Sequence, residues 1–161
     1  MTSTEHRDAL AYVGLPLDVT MDQLTRMIGE TFDKVAGMLS ANGIAPRGAI
    51  IRYTAARPDG TFDVEVGHLV DAAEMEGTPI EPDELPAGAY SVVRHDGPYA
   101  ELGRVTAELM ASWEEAGVSP AMAHTTTGDD YACWYEHYLD MPRQGPAGPE
   151  GAVEICVLTA P

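Results

Sequence analysis

Basic charge is scarce in this chain, and that scarcity is the first constraint on what it does. Nine Lys and Arg residues stand against 26 Asp and Glu in 161 residues, for a formal charge of −17. Nucleic acid is therefore not an expected partner, because clustered cations supply most of the affinity for a phosphate backbone. Anionic membrane surfaces are disfavoured on the same ground. A negative field serves solubility first, and it also draws in small cations. The one lysine, Lys34, falls in the middle of a helical pattern and follows no glycine-rich loop. That leaves no P-loop lysine and makes Schiff-base chemistry a poor fit.

Cysteine is equally sparse. Cys133 and Cys156 are too few for a disulfide framework and form no CxxC motif, so two buried thiols are expected. His6, His68, His95, His124 and His137 match no metal-ligand spacing such as HExxH, and no metal or cofactor is expected. No apolar run approaches the roughly 20 residues of a membrane span. The opening Met1-Thr2-Ser3-Thr4-Glu5-His6 has no basic-then-apolar leader, which makes the cytoplasm the expected location.

What is present has a clear order. Residues 1–9 read as a polar, frayed start, and Leu10 to Leu17 as a first strand. Thr20-Met21-Asp22-Gln23 fits a capping box. Leu24, Met27, Ile28, Phe32, Val35, Met38 and Leu39 follow at helical spacing, and Asn42-Gly43 closes the helix. The Met positions are expected to pack in the core. Ala49 to Thr54 and Phe62 to Val66 flank Pro58-Asp59-Gly60 and predict a hairpin. Asp71 to Glu84 is acidic, aperiodic and read as a linker.

The second half repeats the first. Ala89-Tyr90 and Leu102 echo Ala11-Tyr12 and Leu24 at an offset of 78 residues. Ala116-Gly117-Val118-Ser119-Pro120 echoes Asn42-Gly43-Ile44-Ala45-Pro46, so the second helix is expected to be about a turn shorter. Its apolar face is Leu102, Val105, Leu109 and Trp113. A strand of about six residues follows at Cys133 to Tyr138, then a Gly- and Pro-rich loop from Pro142 to Gly151, then a last strand from Ala152 to Thr159. The predicted unit is strand–helix–strand–strand, twice, within a single domain: a first repeat over 10–70, a linker over 71–84 and a second repeat over 85–160.

Side chains alternate across a strand, so Trp134, Glu136 and Tyr138 share one face and Tyr135 and His137 the other. The repeat sets Tyr138 on Tyr53 and Glu136 on Ile51. A carboxylate at a position that is apolar in the sister copy is expected inside or lining a cavity, where it is protonated, paired or waiting for a cation.

Leu85-Pro86-Ala87-Gly88-Ala89-Tyr90, His95-Asp96-Gly97-Pro98-Tyr99 and Tyr135-Glu136-His137-Tyr138-Leu139-Asp140-Met141-Pro142 together resemble the GyrI-like effector-binding domain, over essentially Leu10 to Thr159. The resemblance implies an α+β fold: two modules related by a pseudo-two-fold, a curved antiparallel sheet, two helices packed on it and a groove between the halves. It implies a stand-alone ligand module of the kind found in MerR- and AraC-type multidrug regulators, with Glu136 in the groove facing lipophilic aromatic cations. No helix-turn-helix module accompanies it here. Trp134 and Tyr138 are the first expected ring contacts, Tyr53 the next, and Tyr99 and Tyr90 weaker ones. The family also includes hydrolases of cyclopropanoid natural products, which implies an alternative role for Glu136 and Trp134 as catalytic residues.

Overall fold

Helix α1 (Met21–Ala41) starts where its capping chemistry puts it. The Thr20 hydroxyl accepts from the Gln23 N–H at 3.3 Å, and the Gln23 side chain accepts from the Thr20 N–H at 2.9 Å. Asn42 caps the other end. The face it buries is Leu24, Thr31, Val35 and Leu39, flanked by Ile28 and Phe32. Met21, Met27 and Met38 are exposed instead, which corrects the expectation that the methionines pack in the core. By helical spacing Met27 and Met38 fall at one edge of the Leu24–Val35 stripe, where solvent reaches them. Helix α2 (Leu102–Ala116) buries Leu102, Val105, Leu109 and Trp113 and ends on Gly117 in the left-handed region. A 3-10 turn, Tyr99–Glu101, leads into it.

The structure is a computed structural model and describes residues 2–161. Ten strands make one antiparallel sheet: β1 (Thr2–Arg7), β2 (Leu10–Val19), β3 (Ala49–Ala56), β4 (Phe62–Val70), β5 (Asp83–Leu85), β6 (Gly88–Pro98), β7 (Met122–Thr125), β8 (Gly128–Tyr138), β9 (Arg143–Gly145) and β10 (Gly148–Leu158). Eight of them run in the order β1-β6-β10-β8-β3-β4-β2-β5, while β7 pairs with β8 and β9 with β10. Several boundaries depart from the sequence reading. The polar start is an edge strand held on β6 by backbone pairing from Thr2↔Val93 to Arg7↔Gly88. The acidic stretch 71–84 contains a 3-10 turn, Ala72–Met75, and ends in β5, which pairs with β2. The aromatic strand is eleven residues long, not six, and the Gly- and Pro-rich loop is a β9–β10 hairpin.

The two faces of this sheet are covered in different ways. Both helices lie over one face, closing a cluster that contains Ile51, Tyr53, Val66, Val93, Trp134, Val153 and Ile155. The other face holds Tyr12, Ile50, Leu85, Tyr90, Tyr135, Cys133 and Cys156, and no helix covers it. Curl buries it: β5 and β6 stand near opposite ends of the strand order, yet only Pro86 and Ala87 join them. The Tyr90 hydroxyl donates to the Pro86 carbonyl at 2.6 Å and pins that junction. Close approach of β2 and β4 depends on Gly67, paired with Gly14, where an added Cβ would meet the Val13 carbonyl at 1.8 Å.

Pairing makes the pseudo-two-fold explicit. Ile51 and Glu136 are cross-strand partners. Ile51 pairs onward with Val66 and then Leu15, while Glu136 pairs onward with Ile155 and then Val93. The axis therefore passes between Ile51 and Glu136. Across β2, β4, β3, β8, β10 and β6 the central row reads Leu15, Val66, Ile51, Glu136, Ile155, Val93: five apolar residues and one acid. Among the described residues no helix is long and apolar enough to cross a membrane.

Candidate functional site

Strand parity turns Trp134, Glu136 and Tyr138 toward the helices and Tyr135 away. Glu136 is only 7% exposed, and among the described residues no basic side chain pairs with it. Its polar partners are two phenols. Tyr138 donates to Oε1 at 2.9 Å, and the Tyr53 hydroxyl lies 3.5 Å from the same atom. Burial pushes its pKa up to about 7 from an ordinary 4.5, while the two phenols pull it back down. The same burial, with the carboxyl alongside, raises both phenols well above their usual value. An ionised carboxyl in a helix-covered core is poorly solvated, and a protonated one is neutral but still hydrogen-bonded.

Aromatic rings close over this acid from several elements. The Tyr138 ring is met edge-on by Phe32 of α1 at 5.7 Å and by Tyr99 at the entry to α2 at 5.4 Å. Tyr53 packs edge-on against Phe62 at 5.9 Å. One row further along, Trp134 meets Trp113 of α2 at 5.9 Å and Tyr131 at 4.9 Å. The Trp113 indole N–H donates to Ser91 Oγ at 2.9 Å, which locks α2 to β6. Edge-to-face pairs of this kind add about 0.5–1.5 kcal/mol beyond area burial.

The row through Tyr138 holds two residues that the sequence reading set aside. In register it runs Val13, His68, Ala49, Tyr138, Val153, His95. His68 Nε2 lies 3.0 Å from the Phe32 carbonyl, and its ring lies 5.7 Å from that of Phe32. His95 Nε2 lies 3.0 Å from the Pro98 carbonyl, directly before Tyr99, with Glu101 Oε2 at 3.6 Å. Carbonyls only accept, so each imidazole carries its proton on Nε2. Both were passed over because their spacing fits no metal site, and Phe32 because helical spacing marks it as core.

Of the expected ring contacts, Trp134, Tyr138, Tyr53 and Tyr99 share the helix-side cluster, with Tyr138 and Tyr53 reaching the acid and Tyr99 packing on Tyr138. Tyr90 does not. It points to the opposite face, packs edge-on against Tyr135 at 5.8 Å, and spends its hydroxyl on Pro86. Parity along β6 explains this, since Ser91, Val93 and His95 take the helix side. Glu136 itself is covered and not open to solvent. Two cavities of about 400 and 330 Å³ lie elsewhere, one along Pro16–Asp18 and Asp63–Glu65, the other between Ala72 and Pro82.

A family model for the GyrI-like small molecule binding domain matches residues 2–158. No curated protein matches the chain in sequence. Among solved structures, the EcmrR C-terminal domain superposes with a TM-score of 0.64 at 18% identity, covering 99% of this chain and 97% of that one. In the EcmrR–DNA complex the matched region spans 57% of the EcmrR chain. SAV2435 bound to tetraphenylphosphonium gives a TM-score of 0.59 at 13% identity, with 99% and 94% covered. A hydrolase from Listeria innocua gives 0.56 at 11% identity, with 99% and 91% covered.

Proposed function

Because the chain belongs to the GyrI-like small-molecule-binding family, we propose that it takes lipophilic aromatic cations against the helix-facing side of its central strands. Glu136 answers the positive charge, and Trp134, Tyr138, Tyr53 and Tyr99 supply ring surface. One observation carries this reading: an acid buried among rings with phenols, and no cation, for partners. A bound cation provides the missing counter-charge where the local dielectric is low and the attraction correspondingly strong. Rings add cation–π attraction of roughly 0.5–2 kcal/mol each. Few directional hydrogen bonds are required, so ligands of varied shape fit. SAV2435, with the same fold, binds tetraphenylphosphonium, a cation of this class.

Titration with tetraphenylphosphonium, followed by tryptophan emission and by calorimetry, tests the reading. Binding is expected on the order of micromolar. Glu136→Gln, folded by circular dichroism, is expected to bind at least about tenfold more weakly, a lower bound for removing one partner of a buried charge pair. Equal affinity in the two proteins would remove Glu136 from the account.

A second reading rests on a different property of the same acid. A carboxyl with a pKa of about 7 suits general acid–base work at neutral pH. Glu136 would activate water or protonate a leaving oxygen while Trp134 and Tyr138 hold a flat electrophile, such as a cyclopropanoid. One neighbour in fold is a hydrolase. A ring-opened hydrate formed from a cyclopropane-bearing alkylator by the wild type, and not by Glu136→Gln, is the result this reading requires.

A further inference from the structure

We propose that His68 and His95 are positioning residues that latch the aromatic cover over Glu136 from its two sides, a role that rests on the cation-binding reading above. Both stand in the same transverse row as Tyr138, each one strand beyond its neighbour: His68 past Ala49 on one side, His95 past Val153 on the other. Each donates its Nε2–H at 3.0 Å to a main-chain carbonyl beside a covering ring, His68 across to α1 and His95 to the end of its own strand, at the cap of the turn that carries Tyr99. For His68 that carbonyl belongs to Phe32 itself; for His95 it belongs to Pro98, next to Tyr99. Phe32 and Tyr99 are the two rings that bracket Tyr138 edge-on, and Tyr138 holds Glu136.

The arrangement is an acquired one. Pseudo-symmetry places Val157 where the first copy has His68, and Leu17 where the second has His95. Neither imidazole is therefore a remnant of the repeat, and both fall on the half of the sheet where the cover lies. The Phe32 carbonyl sits mid-helix, so it needs no further donor to be satisfied. A sheet-borne donor aimed at it fixes where α1 rests rather than completing the helix. The Nδ1 atom of His68 is buried without a partner, so its bond to Phe32 is the one hydrogen bond that orients the ring. Gly97 leaves room for the His95 ring, since a Cβ there would lie 3.3 Å from the imidazole.

Tyr138 is the partly exposed ring bonded to Glu136, so the route we assign to an entering cation displaces it from its slot between Phe32 and Tyr99, and both latches oppose that movement. Stopped-flow association of tetraphenylphosphonium, together with the ring-flip rate of Tyr138 from NMR relaxation dispersion, tests this without relying on affinity. His68→Leu and His95→Leu are each expected to speed association and ring flipping about fivefold, the factor carried by one net hydrogen bond. His68→Gln, which keeps an N–H donor of similar reach, is expected to restore wild-type rates. Residues with a merely structural role would lower Tm in the Leu variants and leave both rates unchanged, and that result overturns the latch. Should one Leu variant fail to fold, the other carries the same test from the opposite side. If the wild type does not bind the cation, the cation-binding reading falls, while unchanged Tyr138 flipping in the Leu variants still decides the latch on its own.

Discussion

The Tyr138 hydroxyl donates to Glu136 at 2.9 Å from two residues further along the same strand. A strand sets alternate side chains on one face, so this short pair is intrinsic to β8 and needs no helix to form it. Helices instead decide how much water reaches it, and water sets the proton affinity of the acid.

Stability should run against pH in an unusual direction. Glu136 has a folded pKa of about 7 against an ordinary 4.5, so the native state binds its proton more tightly than the unfolded chain does. Its contribution is fully present below about pH 4.5 and is lost as pH rises through 7, a change on the order of 3 kcal/mol. Other carboxyls titrate too, so the wild type is compared with Glu136→Gln by urea unfolding. The stability of the Gln variant relative to wild type should climb between pH 4.5 and 7 and then level off.

Cation affinity should show the opposite slope. Tetraphenylphosphonium pairs with the ionised acid, so below pH 7 each binding event displaces a proton. Kd is expected to fall about tenfold per pH unit on the acid side and to flatten above about 7. Calorimetry in buffers of different ionisation enthalpy reports the released proton directly. A flat profile would mean that the cation is held by rings alone.

Tyr138→Phe separates the hydroxyl from the ring. Removing that donor takes away the larger of the two influences lowering the Glu136 pKa. The acid should titrate above 7, and the break in the binding profile should move with it to higher pH. At pH 7 affinity is expected to fall about threefold to tenfold, in line with one hydrogen bond to a charged group. Carbon-13 NMR of the carboxyl follows the titration in both proteins.

Gly67→Ala tests the seam of the first module. The new methyl would overlap the Val13 carbonyl at 1.8 Å and crowd Gly14 Cα at 2.6 Å, so β2 must separate from β4 beneath α1. Loss of about 3 kcal/mol or more is expected in urea unfolding, at the high end for single substitutions. Gly29→Ala, where the methyl meets nothing within 4 Å, serves as the control.

Much of this was legible because patterns recur. The 78-residue offset of Tyr12 and Tyr90 is the one that the pairing imposes on Leu15 and Val93. Strand parity set Glu136 on one face with Trp134 and Tyr138, and its match to the apolar Ile51 in the repeat pointed inward. Capping chemistry fixed the start of α1 to the residue. Strand β1 was missed because Thr2–Arg7 carries polar side chains and joins the sheet through its backbone, which leaves no hydrophobic period to read. Met27 and Met38 misled because their spacing is helical while they fall at the edge of the buried stripe, within reach of solvent. Tyr90 was misplaced for want of the β6 register, and His68 and His95 escaped notice because a histidine bonded to a distant carbonyl has no signature in spacing.

The axis between Ile51 and Glu136 has an evolutionary corollary. A homodimer of free half-chains would have to place whatever residue stands at that point directly opposite an identical copy. Two facing carboxylates would repel or share a proton, so such an ancestor could hold a greasy pair or an acidic pair there, never one acid facing an apolar partner. Fusion into one polypeptide frees the halves to differ at the pair that flanks the axis.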